Sequence, residues 1–318
     1  MMYIFLLGSI ASFLATLLIT PFLIHAFKER GIVGRDVHKL VQRECAEMGG
    51  VAVLIGFSVG FGLILLFTAS VRLVLTFLTI VLVGVVGVAD DLLTLRQRYK
   101  PFLVALASLP LVFVSFNNAH MHELWLPFVG AIFVGPFFVF LIPLGVTTAA
   151  NMTNMLAGFN GLESGIGAIS CFGLGIACYL SGANEAALIA FLLSAAFLAF
   201  LRYNWYPAKI FPGDTGTLTS GAAIAAISIL GGVEGAGLFT IVPCAIDFTL
   251  KMISKRPFSQ RSLFGNTRIS HEKKLIASSY RALPHAFMRA ARLGEKELVS
   301  WILIMQVLYS ALAVSIIL

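Results

Sequence analysis

The chain has 318 residues, 59% of them hydrophobic and only 12% charged, with a mean hydropathy of +0.95. A soluble domain carries about 25% charged residues, so the composition excludes a soluble globular protein and points to an all-α integral membrane protein forming one polytopic domain over 1–318. The formal net charge of +7 is spread through short segments between apolar runs, which argues against nucleic acid as a partner and for membrane lipid headgroups or phosphates.

In chain order, the apolar runs predict ten membrane spans near 3–27, 49–69, 72–89, 102–117, 127–149, 163–181, 185–201, 217–232, 236–254 and 299–318. The first is too long for a signal-peptide core and has no basic leader, so it is expected to be retained as a span. Ten spans leave 28–48, 90–101, 150–162, 202–216 and 255–298 on one side. These segments and their margins hold 21 of the 22 Lys and Arg residues, Arg72 being the exception. The positive-inside rule then places these segments in the cytoplasm and both termini outside.

On the opposite side, His120-Met121-His122-Glu123 offers metal-ligand residue types, but a short polar turn beside the interfacial Trp125 explains it more simply. Cys45, Cys171, Cys178 and Cys244 contain no CxxC pair and read as inert buried thiols. Asp247 is the clear charge within a predicted span, the feature on which a transporter reading would rest.

The candidate chemistry gathers at the cytoplasmic ends of the runs. Asp90 and Asp91 close the third run, with Lys100 ten residues further on. Two adjacent carboxylates at a membrane boundary need a cation, either a divalent metal or a nearby Lys or Arg, unless they simply open a solvated loop. Asn151, Asn154, Asn160 and Glu163 lie in a thirteen-residue polar stretch with Gly158 and Gly161. Its oxygens suit a hard cation or polar ligand, and its glycines suit a tight turn; a capped inter-helix loop has similar composition. Phe211-Pro212-Gly213-Asp214 combines a ring that can stack on a base with a carboxylate that can hold Mg²⁺. Arg268 and His271 lie in a basic segment that can meet phosphates or lipid headgroups.

Together, Asp90-Asp91, the Asn151/Asn154/Asn160 stretch and Phe211-Pro212-Gly213-Asp214 resemble the ordered motifs of the polyprenyl-phosphate N-acetylhexosamine-1-phosphate transferases. Asn154 to Glu163 and Gly34-Arg35-Asp36-Val37-His38-Lys39 resemble the dolichyl-phosphate branch; bacterial branches usually carry aspartates where this chain has Ala157 and Asn160. The resemblance implies transfer of GlcNAc-1-phosphate from UDP-GlcNAc to dolichyl or another polyprenyl phosphate at a cytoplasmic-face site, using Mg²⁺, with Mn²⁺ as an alternative. A homodimer is one assembly open to such a protein. By resemblance, Asn154 and Asp214 hold the metal. Asn160 and Phe211 hold the uracil with Glu47 nearby, Asn151 and Glu163 belong to the substrate site, and Lys100 and Arg268 contact phosphate. Asp90 and Asp91 are catalytic or tune the metal. There are departures: Thr94 stands where the family often has Asn or Asp, Pro212 replaces an apolar or Met residue, and the bacterial multi-histidine signature is reduced to Arg268-Ile269-Ser270-His271. The alternatives are a bacterial-type undecaprenyl-phosphate transferase and a membrane transporter.

Overall fold

Each of the ten apolar runs carries a helix, because a backbone surrounded by lipid must pair its own N–H and C=O groups. The computed structural model describes residues 2–40, 43–68, 70–116, 123–126, 129–254 and 267–318. His120 and His122 of the metal-like turn, and Lys255, Arg256 and Arg261 of the basic segment, lie outside the described residues.

The helices are α1 (Met2–Glu29), α2 (Gly50–Leu65), α3 (Val71–Leu93), α4 (Lys100–Ala107), α5 (Leu109–Phe116), α6 (Phe138–Met155), α7 (Leu162–Leu180), α8 (Asn184–Asn204), α9 (Gly213–Gly231), α10 (Glu234–Met252), α11 (Leu283–Ala290) and α12 (Glu295–Ser315). Among the described residues seven are long and apolar enough to cross a membrane: α1, α3, α6 with its leading turn, α7, α8, α10 and α12. The chain is therefore a multi-pass membrane protein. The predicted fourth span is two short helices, broken where Pro110 supplies no backbone N–H. The predicted fifth span starts late. Gly135 at φ +57° and Pro136 interrupt the run, and Gly130–Phe133 instead pairs with Glu123–Leu126 as a short ladder. Two further ladders, β1 (Val33–Asp36) with β2 (Arg43–Ala46) and a two-residue pair at Arg268–Ile269 and Leu275–Ile276, qualify the all-α expectation.

The ends of several helices run past the apolar residues that signal them. α3 continues to Leu93, α6 to Met155, α9 starts at Gly213 and α12 at Glu295. Hydropathy marks where lipid-facing surface stops, but a helix continues while its polar residues find partners. Asp90, Asp91, Asn151, Asn154 and Asp214 consequently stand on helix ends rather than in loops, which fixes their spacing.

At the centre is α9, packed against α2, α3, α6, α7, α8 and α10. It is enclosed by protein, so it tolerates a Gly-, Ser- and Thr-rich sequence that a lipid-facing helix would not. Small residues bring its neighbours close. A Cβ on Gly50 would lie 2.2 Å from the Gly216 nitrogen, and one on Gly87 would lie 2.5 Å from the Thr215 Cα. Thr153 Oγ1 on α6 donates to the Thr217 carbonyl of α9 at 2.9 Å. The loop ahead of α9 is tied to the start of α2: Phe211 N–H donates to the Ala46 carbonyl, Gly49 N–H to the Phe211 carbonyl and Gly50 N–H to the Pro212 carbonyl, each at 2.8 Å. These seams bring the ends of α2, α3, α4, α6 and α9 to one end of the bundle.

Candidate active site

The polar centre of that end is Lys100, at the first position of α4. Its ammonium pairs with Asp90 and, at 2.6 Å, with Asp214 Oδ2. The Lys100 and Asp90 side chains are only 3% and 5% exposed, whereas Asp214 is 28% exposed. Asp214 is thus the member of the triad that a ligand can reach. The second Asp90 oxygen accepts from Leu95 N–H at 2.7 Å. The α3 helix ends just before, at Thr94, whose φ of +47° is left-handed and whose N–H donates to the Asp90 carbonyl. The residue that departs from the family pattern is therefore the helix terminator.

Asp91 does something different. Its Oδ1 accepts from Asp214 N–H at 2.7 Å, and its Oδ2 accepts from Thr215 N–H at 3.0 Å and Thr215 Oγ1 at 2.6 Å. These are unpaired donors of the first turn of α9, and a carboxylate there also meets the positive end of the helix dipole. Asp91 caps α9 from another helix and sets where Asp214 stands.

Asn154 comes to the same place from α6. Thr217 Oγ1 donates to Asn154 Oδ1 at 2.9 Å and lies 3.3 Å from the Asp214 carbonyl. Asn154 and Asp214 are thus joined through one hydroxyl. Among the described residues no three His, Cys, Asp or Glu side chains converge into a ready-made cage for a metal. The all-oxygen pair of Asn154 and the accessible Asp214 nonetheless fits Mg²⁺, which keeps several waters and takes one or two protein oxygens together with phosphate oxygens.

Glu47 and Phe211 form the adjoining wall. A Cβ on Gly34 of β1 would lie 3.2 Å from both Glu47 Oε2 and Phe211 Cδ2, so strand, carboxylate and ring pack against one another. Burial, and then the Asp91 charge, pushes the Glu47 carboxyl above the usual range.

Asn160 belongs to a second cluster. Its Nδ2 donates to Asp36 Oδ2 at 2.9 Å and its backbone N–H to Glu295 Oε1 at 2.8 Å. Lys39 pairs with Asp36 at 3.1 Å and with Glu295, and its ammonium lies 4.2 Å from the centre of the Tyr206 ring. His38 stacks on Phe159 with ring centres 4.5 Å apart, and burial lowers its pKa to about 4. Gly158 and Gly161 have φ of +119° and +87°, the left-handed turns that the glycines suggested, and Glu163 Oε1 closes this loop by accepting from Gly158 N–H at 2.6 Å. The Asn151 amide donates back to the Thr147 carbonyl of its own helix. Arg268 is exposed on its short strand, and among the described residues no contact joins it to Lys100.

Sequence reasoning missed the partners that hold these groups. Glu295 lies 135 residues from Asn160, and nothing in its local sequence signals the contact. Lys251 and Asp247 on α10 pair at 2.7 Å. Lys251 donates to the Met155 carbonyl at the end of α6, and Asp247 accepts from Leu283 N–H at the start of α11 at 2.8 Å. Asp247 is thus a paired cap, which removes the feature on which the transporter reading rested; its i,i+4 spacing to Lys251 was the available signal.

Residues 73–232, about half of the chain, match glycosyl transferase family 4. A Sulfolobus acidocaldarius protein provisionally named UDP-N-acetylglucosamine–dolichyl-phosphate N-acetylglucosaminephosphotransferase is 32% identical over 97% of this chain and 95% of its own length. A Saccharolobus solfataricus protein with the same provisional name is 31% identical over the same shares. A phospho-N-acetylmuramoyl-pentapeptide-transferase of Streptococcus pyogenes is 29% identical over 72% of this chain and 73% of its own. The matched segment runs from α3 to the end of α9 and includes Asp90, Asp91, Lys100, Asn154 and Asp214. The chain belongs to glycosyl transferase family 4.

Proposed function

We propose that this protein is a membrane transferase that moves GlcNAc-1-phosphate from UDP-GlcNAc to dolichyl or a related polyprenyl phosphate, giving lipid-pyrophosphoryl-GlcNAc and UMP, the opening step of N-linked glycan lipid assembly. The observation that carries this reading is the convergence of Asp90, Lys100, Asp214 and Asn154 at one end of an apolar bundle. A site there meets a lipid phosphate at the membrane surface and a nucleotide sugar from water. The archaeal relatives that align over almost the whole chain favour a dolichyl-type acceptor over the bacterial one. The ten helix-bearing runs form ten passes with both termini outside, and the site faces the cytoplasm; the near-exclusive presence of basic residues on that side supports this orientation.

An oxygen of the lipid phosphate attacks the β-phosphorus of UDP-GlcNAc. The bond from that phosphorus to the bridging oxygen breaks, and UMP leaves. A phosphate monoester is already mostly dianionic near neutral pH, so no general base has to remove a proton. Neither aspartate is a free nucleophile: both Asp91 oxygens accept from α9, and Asp90 is held by Lys100 and Leu95 N–H. Direct attack is therefore favoured over a phospho-aspartate. Mg²⁺ held by Asn154 and Asp214 would offset charge on the pyrophosphate and the departing UMP. Lys100 supplies a fixed positive charge beside the reacting phosphates, and Asp90 holds its ammonium in place. Asp91 positions Asp214. Phe211 stacks the uracil and Asn160 reads its edge, with Glu47 beside them. Glu163 closes the loop that carries Asn160, Asn151 contributes to the substrate site from the last turns of α6, and Arg268 approaches phosphate from the rim.

The test is UMP release by protein purified in detergent, with Mg²⁺, dolichyl phosphate and a panel of UDP-sugars. UMP release that depends on dolichyl phosphate and is highest with UDP-GlcNAc is expected; equal release without lipid would refute the transfer.

A further inference from the structure

We propose that Lys251 is a positioning residue for Asn154: from α10 it caps the end of α6 and so holds the Asn154 oxygen beside Asp214, where the two can share a divalent cation. The inference rests on the Mg²⁺ reading above and adds a residue that acts through Asn154. Asn154 stands in the last turn of α6, one residue before Met155, where the helix ends. The carbonyls of a last turn have no partner within their own helix, and the helix dipole leaves negative charge there. A Lys or Arg in that turn can bond such carbonyls, but the last turn of α6 contains none. Lys251 supplies the cation from another helix, its ammonium donating to the Met155 carbonyl. An ammonium can only donate and a carbonyl can only accept, so the direction of this bond is fixed. The two residues before Met155 are held from α9: Thr153 Oγ1 donates to the Thr217 carbonyl and Thr217 Oγ1 to Asn154 Oδ1, each at 2.9 Å. Consecutive residues at the end of α6 are therefore tied to two different helices.

The other half of the oxygen pair is held by the mirror-image device. Asp91 of α3 caps the start of α9, which carries Asp214. A carboxylate at a helix start and an ammonium at a helix end, each reaching across from a neighbouring helix, thus fix the two ends on which Asp214 and Asn154 stand. Stability alone does not call for a charge at position 251. The Lys251 side chain is 5% exposed and that of Asp247 is fully buried, and a buried ion pair contributes little beyond well-packed apolar side chains of similar volume. What an apolar side chain cannot do is hold a carbonyl. Asp247, one turn earlier on the same face of α10, offsets the Lys251 charge with Oδ2 at 2.7 Å, and its Oδ1 accepts from Leu283 N–H at 2.8 Å. The pair therefore fastens the end of α6 and the start of α11 to one place on α10.

The experiment measures Mn²⁺ binding, from the spin-resonance signal of the free ion, and backbone hydrogen exchange, both in detergent, for the wild type, Asp214→Asn and the double variant Asp247→Asn/Lys251→Met. The double variant removes both charges together, so none is left buried alone, and its Asn still offers an oxygen to Leu283 N–H. It should melt close to the wild type. Its Mn²⁺ affinity should fall about tenfold or more, the scale on which supporting residues act on a metal site, and exchange should quicken in peptides covering 150–158 but not at the start of α9. A folded double variant that binds Mn²⁺ like the wild type, or whose α6 end exchanges no faster, overturns the inference. If the variant does not purify folded, the wild type decides: by linkage, Mn²⁺ should slow exchange both at the end of α6 and around Leu283, and no slowing around Leu283 overturns the inference. A wild type whose Mn²⁺ binding is absent, or is unaffected by Asp214→Asn, would instead sink the Mg²⁺ reading itself, and the role of Lys251 toward the metal with it.

Discussion

Replacing Asp91 by alanine should destabilise the fold before it touches the chemistry. Its two oxygens satisfy two backbone N–H groups and one hydroxyl at the start of α9. Losing a capping side chain costs about 0.5–2 kcal/mol in exposed helices. Here the donors are half-buried among neighbouring helices, and each left unsatisfied costs about 1–3 kcal/mol. Asp91→Ala therefore costs on the order of 3–5 kcal/mol, reduced where water reaches the vacated space. Asp91→Asn keeps one accepting oxygen and loses the charge, so about half of that is expected. Three of the four buried free thiols, those within helices, provide the assay. A thiol-reactive fluorophore added to purified protein labels Cys171, Cys178 and Cys244 only as the helices separate on heating. At about 2–4 °C per kcal/mol, the alanine variant should melt on the order of 10 °C lower and the asparagine variant about half as much. UMP release measured well below both transitions should fall less in Asp91→Asn than in Asp90→Asn. A variant that melts like the wild type yet has lost all transfer would refute the capping role and place Asp91 against substrate.

Lys100→Met removes the cation between two carboxylates, and breaking a buried pair in this way costs about 3–5 kcal/mol; transfer should fall about 10²–10³-fold, read as UMP release, and Lys100→Arg should not restore it because a planar fork cannot occupy the same narrow position. Burial holds His38 neutral with its pKa near 4 against an ordinary 6.5, so the folded form resists protonation that the unfolded chain accepts. Stability should then be full above pH 6.5 and decline by about 3 kcal/mol as pH falls to about 4, a decline that His38→Gln should largely remove in thermal melts across that range. Gly50→Val should force α2 away from α9, where a Cβ already meets the Gly216 nitrogen at 2.2 Å, lowering both melting temperature and activity, whereas Gly62→Ala, with open space around it, should leave both unchanged.

Much of the architecture was legible because lipid imposes a simple rule: apolar runs of sufficient length become helices. The rule reads the outward faces well, which is why α1, α7 and α8 match their predicted runs. It misses the first turn of α9, whose surroundings are protein and whose sequence there is not apolar, and it fails at Pro110 and Gly135–Pro136, where backbone chemistry breaks an apolar run. The site was legible as residue types, since Asp, Asn and Glu are costly at a membrane boundary without a task. Their division of labour was not. Asp90 and Asp91 are neighbours in sequence, but an α-helix turns them about 100° apart, so one meets Lys100 and the other the start of α9. Asn154 and Asn160 looked like one motif, yet the left-handed turn at Gly158 sends them to different partners, Thr217 and Asp36. Contacts such as Glu295 with Asn160 depend on the meeting of distant helix ends, which no local pattern records.

The central claim is that a phosphosugar, and not the sugar alone, passes to the lipid. UDP-GlcNAc carrying radiolabel in its β-phosphate, incubated with purified protein, Mg²⁺ and dolichyl phosphate, decides it. The account predicts that the label enters the organic-extractable lipid with one UMP released per labelled lipid, and that Asp214→Asn abolishes both. Label recovered in free UDP, with an unlabelled glycolipid formed alongside, would contradict it.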